Sequence, residues 1–199
     1  MLSNAISSQR FELIRDAIGR VLTVELANQK TLQGEEGTDV SIYLERACPV
    51  DKEELPLINI VYADTEFTEE PTFMTSLGDN KYLIECYANS ETDPTDDGDK
   101  KAAVKLAKIM GMIRAILMDS RNLYLDFSEK FIQTRRVKSI TRTQPRIADA
   151  LNTISGTIEV HYLAEEVTEV ETGTLEACLE TTVKLSDTDK GYKYVIENN

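Results

Sequence analysis

One segment in the middle of the chain, residues 99–118, has the spacing of a strongly amphipathic helix, and short alternating segments stand on both sides of it. Apolar side chains that recur every three or four residues form one stripe along a helix. The predicted seam consists of Ala103, Leu106, Met110, Ile113 and Leu117, with Ala102, Ile109 and Ile116 beside it. A stripe of this breadth requires burial on more than one side, so we expect the helix to pack on a sheet.

Four segments around that helix alternate apolar and polar residues, which is the period of a β-strand. Two precede the helix, at 57–63 and 81–89, and two follow it, at 130–140 and 157–164. The polar stretch between the first two strands, 64–80, is expected to be a hairpin loop or an extended arm.

A second helix is predicted near the N-terminus from a stripe of Phe11, Ile14, Ile18, Leu22 and Leu26. A further, short strand is expected at 40–47. This order of elements predicts an α+β fold, in which a mixed or mainly antiparallel sheet is packed by an N-terminal helix and a long central helix.

Beyond residue 164 the chain becomes an acidic extension, with nine acidic residues against three lysines. Its apolar residues still alternate, at 175–179, 183–185 and 192–196, and the polar stretch 186–191 has the composition of a turn. We therefore expect an α+β domain at 1–164 and an acidic β-hairpin arm at 165–199.

The charge balance limits the kinds of partner that the chain can have. A net charge of −13 argues against general affinity for nucleic acid or for an anionic membrane surface. No stretch approaches the roughly 18 uninterrupted apolar residues of a membrane span, and the N-terminus lacks the pattern of a signal peptide. We expect protein partners, no membrane contact, and synthesis and use in a cytoplasm.

The residues that carry chemistry do not form a catalytic or metal-binding motif. Cys48, Cys86 and Cys178 lie far apart with one histidine, His161, so we expect no metal site, no cofactor and no catalytic residues. Cys86 is expected to be a small buried apolar residue and His161 a semi-exposed strand residue. The stretch 93–104 fails as a calcium loop because Val104 stands where a bidentate glutamate is required.

One charge anomaly remains, between residues 130 and 146. This segment, the basic ribbon, has six cations and no acidic residue, while the remainder of the chain carries −19. Its cations are Lys130, Arg135, Arg136, Lys138, Arg142 and Arg146. Three interpretations stay open: an edge strand kept soluble by its charges, a contact with acidic surfaces of neighbouring copies, or a positive lumen that faces DNA.

Five segments of the chain resemble the tail terminator proteins of bacteriophages, also called tail completion or minor tail proteins of the neck. They are FELIRDAI near the N-terminus, LPLINIVYAD and KYLIECYANS, the helix KKAAVKLAKIMGMIRAIL, and ISGTIEVHYLAE. The resemblance covers about residues 5–164. It is one of pattern without an invariant signature, so no family residue is transferred as a defined site.

The resemblance implies a virion protein that assembles in the bacterial host as a ring, usually a hexamer, on the head-proximal end of the tail tube. There it would stop tube growth and form the surface that joins the head connector. The implied partners are other copies of the chain, the tail tube protein, head–tail connector proteins, the sheath protein and genomic DNA passing through the lumen. Two alternatives are another neck component, such as a stopper or adaptor, and a small cytoplasmic enzyme with an unrecognised acidic site.

Overall fold

A computed structural model describes residues 8–34, 39–47, 52–67, 75–90, 98–127, 131–143, 153–167, 182–188 and 191–197. The chain divides into two compact units, residues 1–167 and residues 168–199. None of the described helices is long and apolar enough to cross a membrane.

Within the part of the chain that the structure describes, the first unit contains two α-helices and five strands. The helices are α1 (Arg10–Gln33) and α2 (Gly98–Met118), and short 3-10 helices occupy Lys52–Glu54 and Ser120–Asn122. The strands are β1 (Ser41–Leu44), β2 (Leu57–Phe67), β3 (Thr75–Asn89), β4 (Ile132–Thr143) and β5 (Thr153–Val167).

The five strands form one mixed sheet in the order β1-β2-β3-β5-β4. Strand β1 runs parallel to β2, and all the other neighbours are antiparallel. The chain therefore has the α+β fold that the sequence predicts, with β1 and β4 at the two edges of the sheet.

Both helices contribute to one apolar core on one face of the sheet. Ile14, Ile18 and Leu22 of α1 are fully buried, as the predicted stripe requires. Helix α2 is buried over a broad arc. Its buried side chains are Ala102, Leu106, Ile109, Met110, Ile113, Ile116 and Leu117. The even-numbered residues of β3 and β5, such as Ile84 and Ile158, complete the core, because alternate side chains of a strand point to opposite faces.

The sequence underestimates the length of the strands. The expected loop or arm at 64–80 is mostly strand, since β2 continues to Phe67 and β3 begins at Thr75. Asn80 is fully buried on the helix side and accepts a hydrogen bond from the hydroxyl of Thr65 at 2.7 Å. This polar pair, of which Asn80 is buried and Thr65 partly buried, interrupts the apolar alternation, which is why the sequence suggests that the strands end earlier.

The alternation within β4 also differs from the expectation of a regular strand. Its register against β5 shifts between Ile132 and Thr134 and again between Val137 and Ser139. Each bulge adds one residue and reverses which side chains face the helices. Arg135 therefore lies opposite Tyr162 on the helix side, whereas Arg136 lies opposite His161 on the other face.

The second unit contains a two-stranded antiparallel hairpin. Strand β6 (Thr182–Thr188) pairs with β7 (Gly191–Glu197), from Thr182 opposite Glu197 to Thr188 opposite Gly191. The alternating run predicted at 175–179 lies outside the described residues. The residues at 165–167, which the sequence assigns to the arm, belong to β5 of the first unit.

Candidate interaction surface

The four described cations of the basic ribbon do not form a single charged face. Lys130 and Arg146 lie outside the described residues. The other four cations belong to β4, and the two bulges distribute them between the two faces of the sheet. The cations of the ribbon therefore lie in different environments.

Arg135 is a structural residue of the subunit. Its side chain is partly buried, and Nη2 donates a hydrogen bond to the backbone carbonyl of Asp119, one residue beyond the end of α2. A cation is favourable there because the last carbonyl groups of a helix carry partial negative charge. Burial lowers the pKa of Arg135. Its Nη1 is also buried and has no hydrogen-bond partner among the described residues.

Arg136, Lys138 and Arg142 are the exposed cations among the four that the structure describes. Arg136 forms an ion pair with Asp79, with Nη2 and Oδ2 2.8 Å apart, while its side chain stays 58% exposed. Ile140 is also 47% exposed on the same strand. Among the described strands, β4 pairs only with β5. It therefore presents an outer edge with exposed cations and one exposed apolar side chain.

A line of ionisable side chains, which we call the charge line, crosses the face of the sheet that is turned away from the helices, the outer face, and in it acidic residues alternate with Lys81, His161 and Arg136. From β2 to β4 its members are Asp64, Lys81, Glu159, His161, Asp79 and Arg136. The ammonium group of Lys81 lies 3.8 Å from Glu159 and 4.0 Å from Asp64. This charge line was not predicted from the sequence.

His161 occupies the centre of the charge line. Its Nε2 lies 2.9 Å from Oε1 of Glu159, and its Nδ1 lies 3.1 Å from Oδ1 of Asp79. The hydrogen bond from His161 holds the pKa of Glu159 below its usual value, and Lys81 acts in the same direction. The expectation of a semi-exposed strand residue is confirmed, since the His161 side chain is 14% exposed.

Helix α2 presents a second basic surface. Between Lys100 and Met118 the chain has five cations and no acidic residue. The exposed side of the helix also includes small and apolar residues, among them Val104, Ala107, Gly111, Ala115 and Met118. Val104 is 64% exposed, and a Cβ added at Gly111 would meet nothing within 4 Å. The packing of the subunit therefore does not require a glycine at this position.

A groove of about 680 Å³ lies between the second half of α1 and the edge strand β1. Leu26, Val40 and Ile42 contribute apolar side chains to its lining. The charged residues of that lining, Lys30 and Asp39, form an ion pair at 2.7 Å. The groove is thus lined in part by apolar side chains, and its two charged residues neutralise each other.

Of the three cysteines, the structure describes Cys86, which is explained by packing, while Cys48 and Cys178 lie outside the described residues. Cys86 is fully buried, as predicted, and burial raises the pKa of its thiol to about 12. A thiol in this environment is a poor nucleophile because it is not ionised at neutral pH. Among the described side chains, no group of three or more histidine, cysteine, aspartate or glutamate residues is placed to hold a metal ion.

A scan against models of known protein families finds no match to this chain, and a search of curated proteins finds none either.

Proposed function

We propose that the protein is a structural virion protein that forms a ring, a hexamer, at the head-proximal end of a phage tail tube. There it terminates tail growth and joins the tail to the head connector. In this proposal it is not an enzyme and holds no cofactor. The resemblance of its segments to tail terminators supports the role, and its α+β fold is the one that the resemblance implies.

The observation that carries the proposal is the charge of the outer edge of β4. Arg136, Lys138 and Arg142 lie exposed on an edge strand, in a chain whose net charge is −13. Neighbouring copies therefore offer acidic surface to a basic edge, and opposite charges favour one orientation of approach over others. A contact between two different surfaces of the same chain closes into a ring when the rotation per copy divides a full circle.

The partners in this proposal are the other copies of the chain, the tail tube protein and the head–tail connector proteins, with the sheath protein as a further neighbour. The acidic residues beyond 167 contact an adjacent subunit or neck protein. Genomic DNA passes through the lumen and makes only transient contacts, because the net negative charge of each copy opposes stable DNA binding.

Ring assembly is tested by mass photometry of the purified protein over a concentration series, with and without purified tail tubes. We expect a discrete closed oligomer, visible as rings by negative-stain electron microscopy. A protein that stays monomeric in both settings would contradict the proposal. Binding to isolated portal complexes instead of tube ends would assign the chain to the connector rather than to the terminator.

The basic edge is tested with the double charge reversal Lys138→Glu and Arg142→Glu. Both side chains are exposed, so we expect a change in monomer stability of only about 0 to 1 kcal/mol per residue. Ring assembly should weaken, and should weaken further at low salt, where repulsion is screened least. Arg20→Glu, an exposed reversal on α1, is the matched control. If both variants assemble as well as the wild type, the ribbon is only a solvated edge strand and has no role in ring assembly.

A further inference from the structure

The charge line on the outer face connects strands that are distant along the chain. Asp79 belongs to β3, His161 and Glu159 to β5, and Arg136 to β4. The carboxylate of Asp79 accepts a hydrogen bond from Arg136 at 2.8 Å and lies 3.1 Å from Nδ1 of His161. Asp79 thus reaches across β5 to hold the edge strand β4.

The number of bonds in this arrangement depends on one proton. A doubly protonated imidazole donates at both nitrogens, whereas a neutral ring donates at one nitrogen and accepts at the other. Both ring nitrogens of His161 face carboxylate oxygens, those of Asp79 and Glu159. A neutral ring therefore directs a lone pair at one of the two carboxylates. The imidazolium form satisfies both and leaves the six charges balanced.

We propose that His161 is a proton-operated link that fastens the edge strand β4 to the sheet through Asp79. In the protonated state, Asp79 is held between His161 and Arg136, and Glu159 is held between His161 and Lys81. Loss of the proton removes one charge-assisted hydrogen bond and leaves an excess negative charge on the outer face. The strand β4 then opens more readily.

The other described polar groups near the imidazole of His161 do not connect Asp79 to Glu159 in its place. Lys81 approaches Glu159 and Asp64, and the hydroxyl of Ser139 donates to Glu159 at 3.4 Å. Glu66 lies opposite Asp79 on β2 and is exposed. Histidine is the side chain whose ordinary titration falls between pH 5 and pH 8. The lowered pKa of Glu159 keeps that partner ionised throughout this range.

The link acts within one subunit and does not depend on ring assembly. We expect the protonated ring to stabilise β4 and the neutral ring to release it. A replacement that cannot become a cation should behave like the neutral ring at every pH. His161→Gln is such a replacement, since its amide offers one donor group and one acceptor atom.

The test is hydrogen exchange of the β4 amides in the wild type and in His161→Gln, compared at the same pH so that intrinsic exchange rates cancel. At pH 5.5 we expect the β4 amides to be about tenfold better protected in the wild type, the effect of one hydrogen bond to a charged group. At pH 8 the two proteins should be equally protected. Thr157→Ala, on the same face of β5, is the control and should show no such dependence on pH.

The protonation state of the ring is read independently by nitrogen-15 NMR. His161 is the sole histidine of the chain, so its ring gives one set of signals. The spectra show whether the ring is an imidazolium or a neutral tautomer at each pH at which exchange is compared. A ring that is neutral at pH 5.5, or a protection ratio that is the same at both pH values, would overturn the proposal.

Discussion

The guanidinium group of Arg135 on β4 donates a hydrogen bond to the backbone carbonyl of Asp119, immediately after helix α2. This contact ties the basic edge strand to the end of a core helix. Arg135 and Arg136 are adjacent in the sequence and equal in charge, yet one stabilises the subunit and the other lies 58% exposed on the outer face. The sequence alone groups both among six candidate interface or lumen cations, and only the structure shows that Arg135 makes a contact within the subunit.

Charge reversal should separate the two residues. We expect Arg135→Glu to lower the free energy of unfolding by about 2 to 4 kcal/mol, because it removes the charged donor to the carbonyl of Asp119, which then keeps only the amide of Asn122, and places a carboxylate near the negative end of a helix. Arg136→Glu should cost about 0 to 1 kcal/mol, as expected for an exposed ion pair. Urea unfolding of each variant measures both values. Equal losses would show that Arg135 has no special role within the subunit.

Two glycines should respond in opposite directions to substitution by alanine. Gly111→Ala should stabilise the subunit by about 0.5 to 1 kcal/mol, because a glycine inside a helix costs conformational entropy and the added Cβ meets nothing within 4 Å. Gly156→Ala should destabilise it by about 1 to 3 kcal/mol, since its Cβ would lie 2.7 Å from Sδ of Met110 and 3.1 Å from the carbonyl of Thr141. Thermal unfolding of the monomer tests both. If Gly111→Ala destabilises the monomer, the prediction is wrong and the added Cβ does not point into open space.

The sequence predicts the elements whose core residues follow one period. The stripes of α1 and α2 recur every three or four residues and the centres of the sheet strands alternate. Most of these residues are buried as expected, whereas Phe11 and Ala103 are only partly buried. The bulges in β4 have no comparable signal, because Gln133 and Lys138 are ordinary strand residues. The faces of Arg135 and Arg136 depend on those bulges and could not be assigned from the sequence.

The charge line could not be predicted from the sequence, for a different reason. Asp79 and His161 lie 82 positions apart and meet only because β3 pairs with β5. Alternate charges on β3, at Asp79 and Lys81, and on β5, at Glu159 and His161, are visible in the sequence as outward-facing positions. Their mutual contacts require the register of the sheet, which short-range patterns do not specify.

Asp119 should make stability depend on pH in the acidic range. Its carboxylate accepts hydrogen bonds from the side chain and backbone of Arg121, and these lower its pKa to about 2. A lowered pKa stabilises the folded state above the unfolded value of about 4, and the effect is lost as the pH falls towards 2. Asp119→Asn should therefore be less stable than the wild type at pH 7 and approach it near pH 2.

Thermal unfolding between pH 7 and pH 2 measures this difference. Arg121→Ala removes the side chain that donates to Asp119. This variant should also be less stable than the wild type at pH 7, and the difference should disappear as the pH falls towards 2. A constant difference between the wild type and Asp119→Asn at every pH would assign the effect of the mutation to packing rather than to charge.

The extent of β5 determines where the acidic extension can be removed. Glu165, Glu166 and Val167 pair with Leu77, Ser76 and Thr75 of β3, and the backbone amide of Glu165 donates to the carbonyl of Phe131 at 2.9 Å. A chain ending at residue 164 loses these contacts, so we expect a lower unfolding midpoint in urea. A chain ending at residue 167 keeps them and should unfold at the same midpoint as the full-length protein.

The longer truncation is therefore the proper test of whether the extension contributes to assembly. We expect the chain of residues 1–167 to retain the circular dichroism spectrum of a folded α+β domain and to lose the closed oligomer in mass photometry, because the extension contacts a neighbouring copy in the proposed ring. The chain of residues 1–164 is the destabilised control, which distinguishes loss of assembly from loss of folding. Intact ring assembly by residues 1–167 would show that the acidic extension is dispensable and that the basic edge of β4 meets another acidic surface.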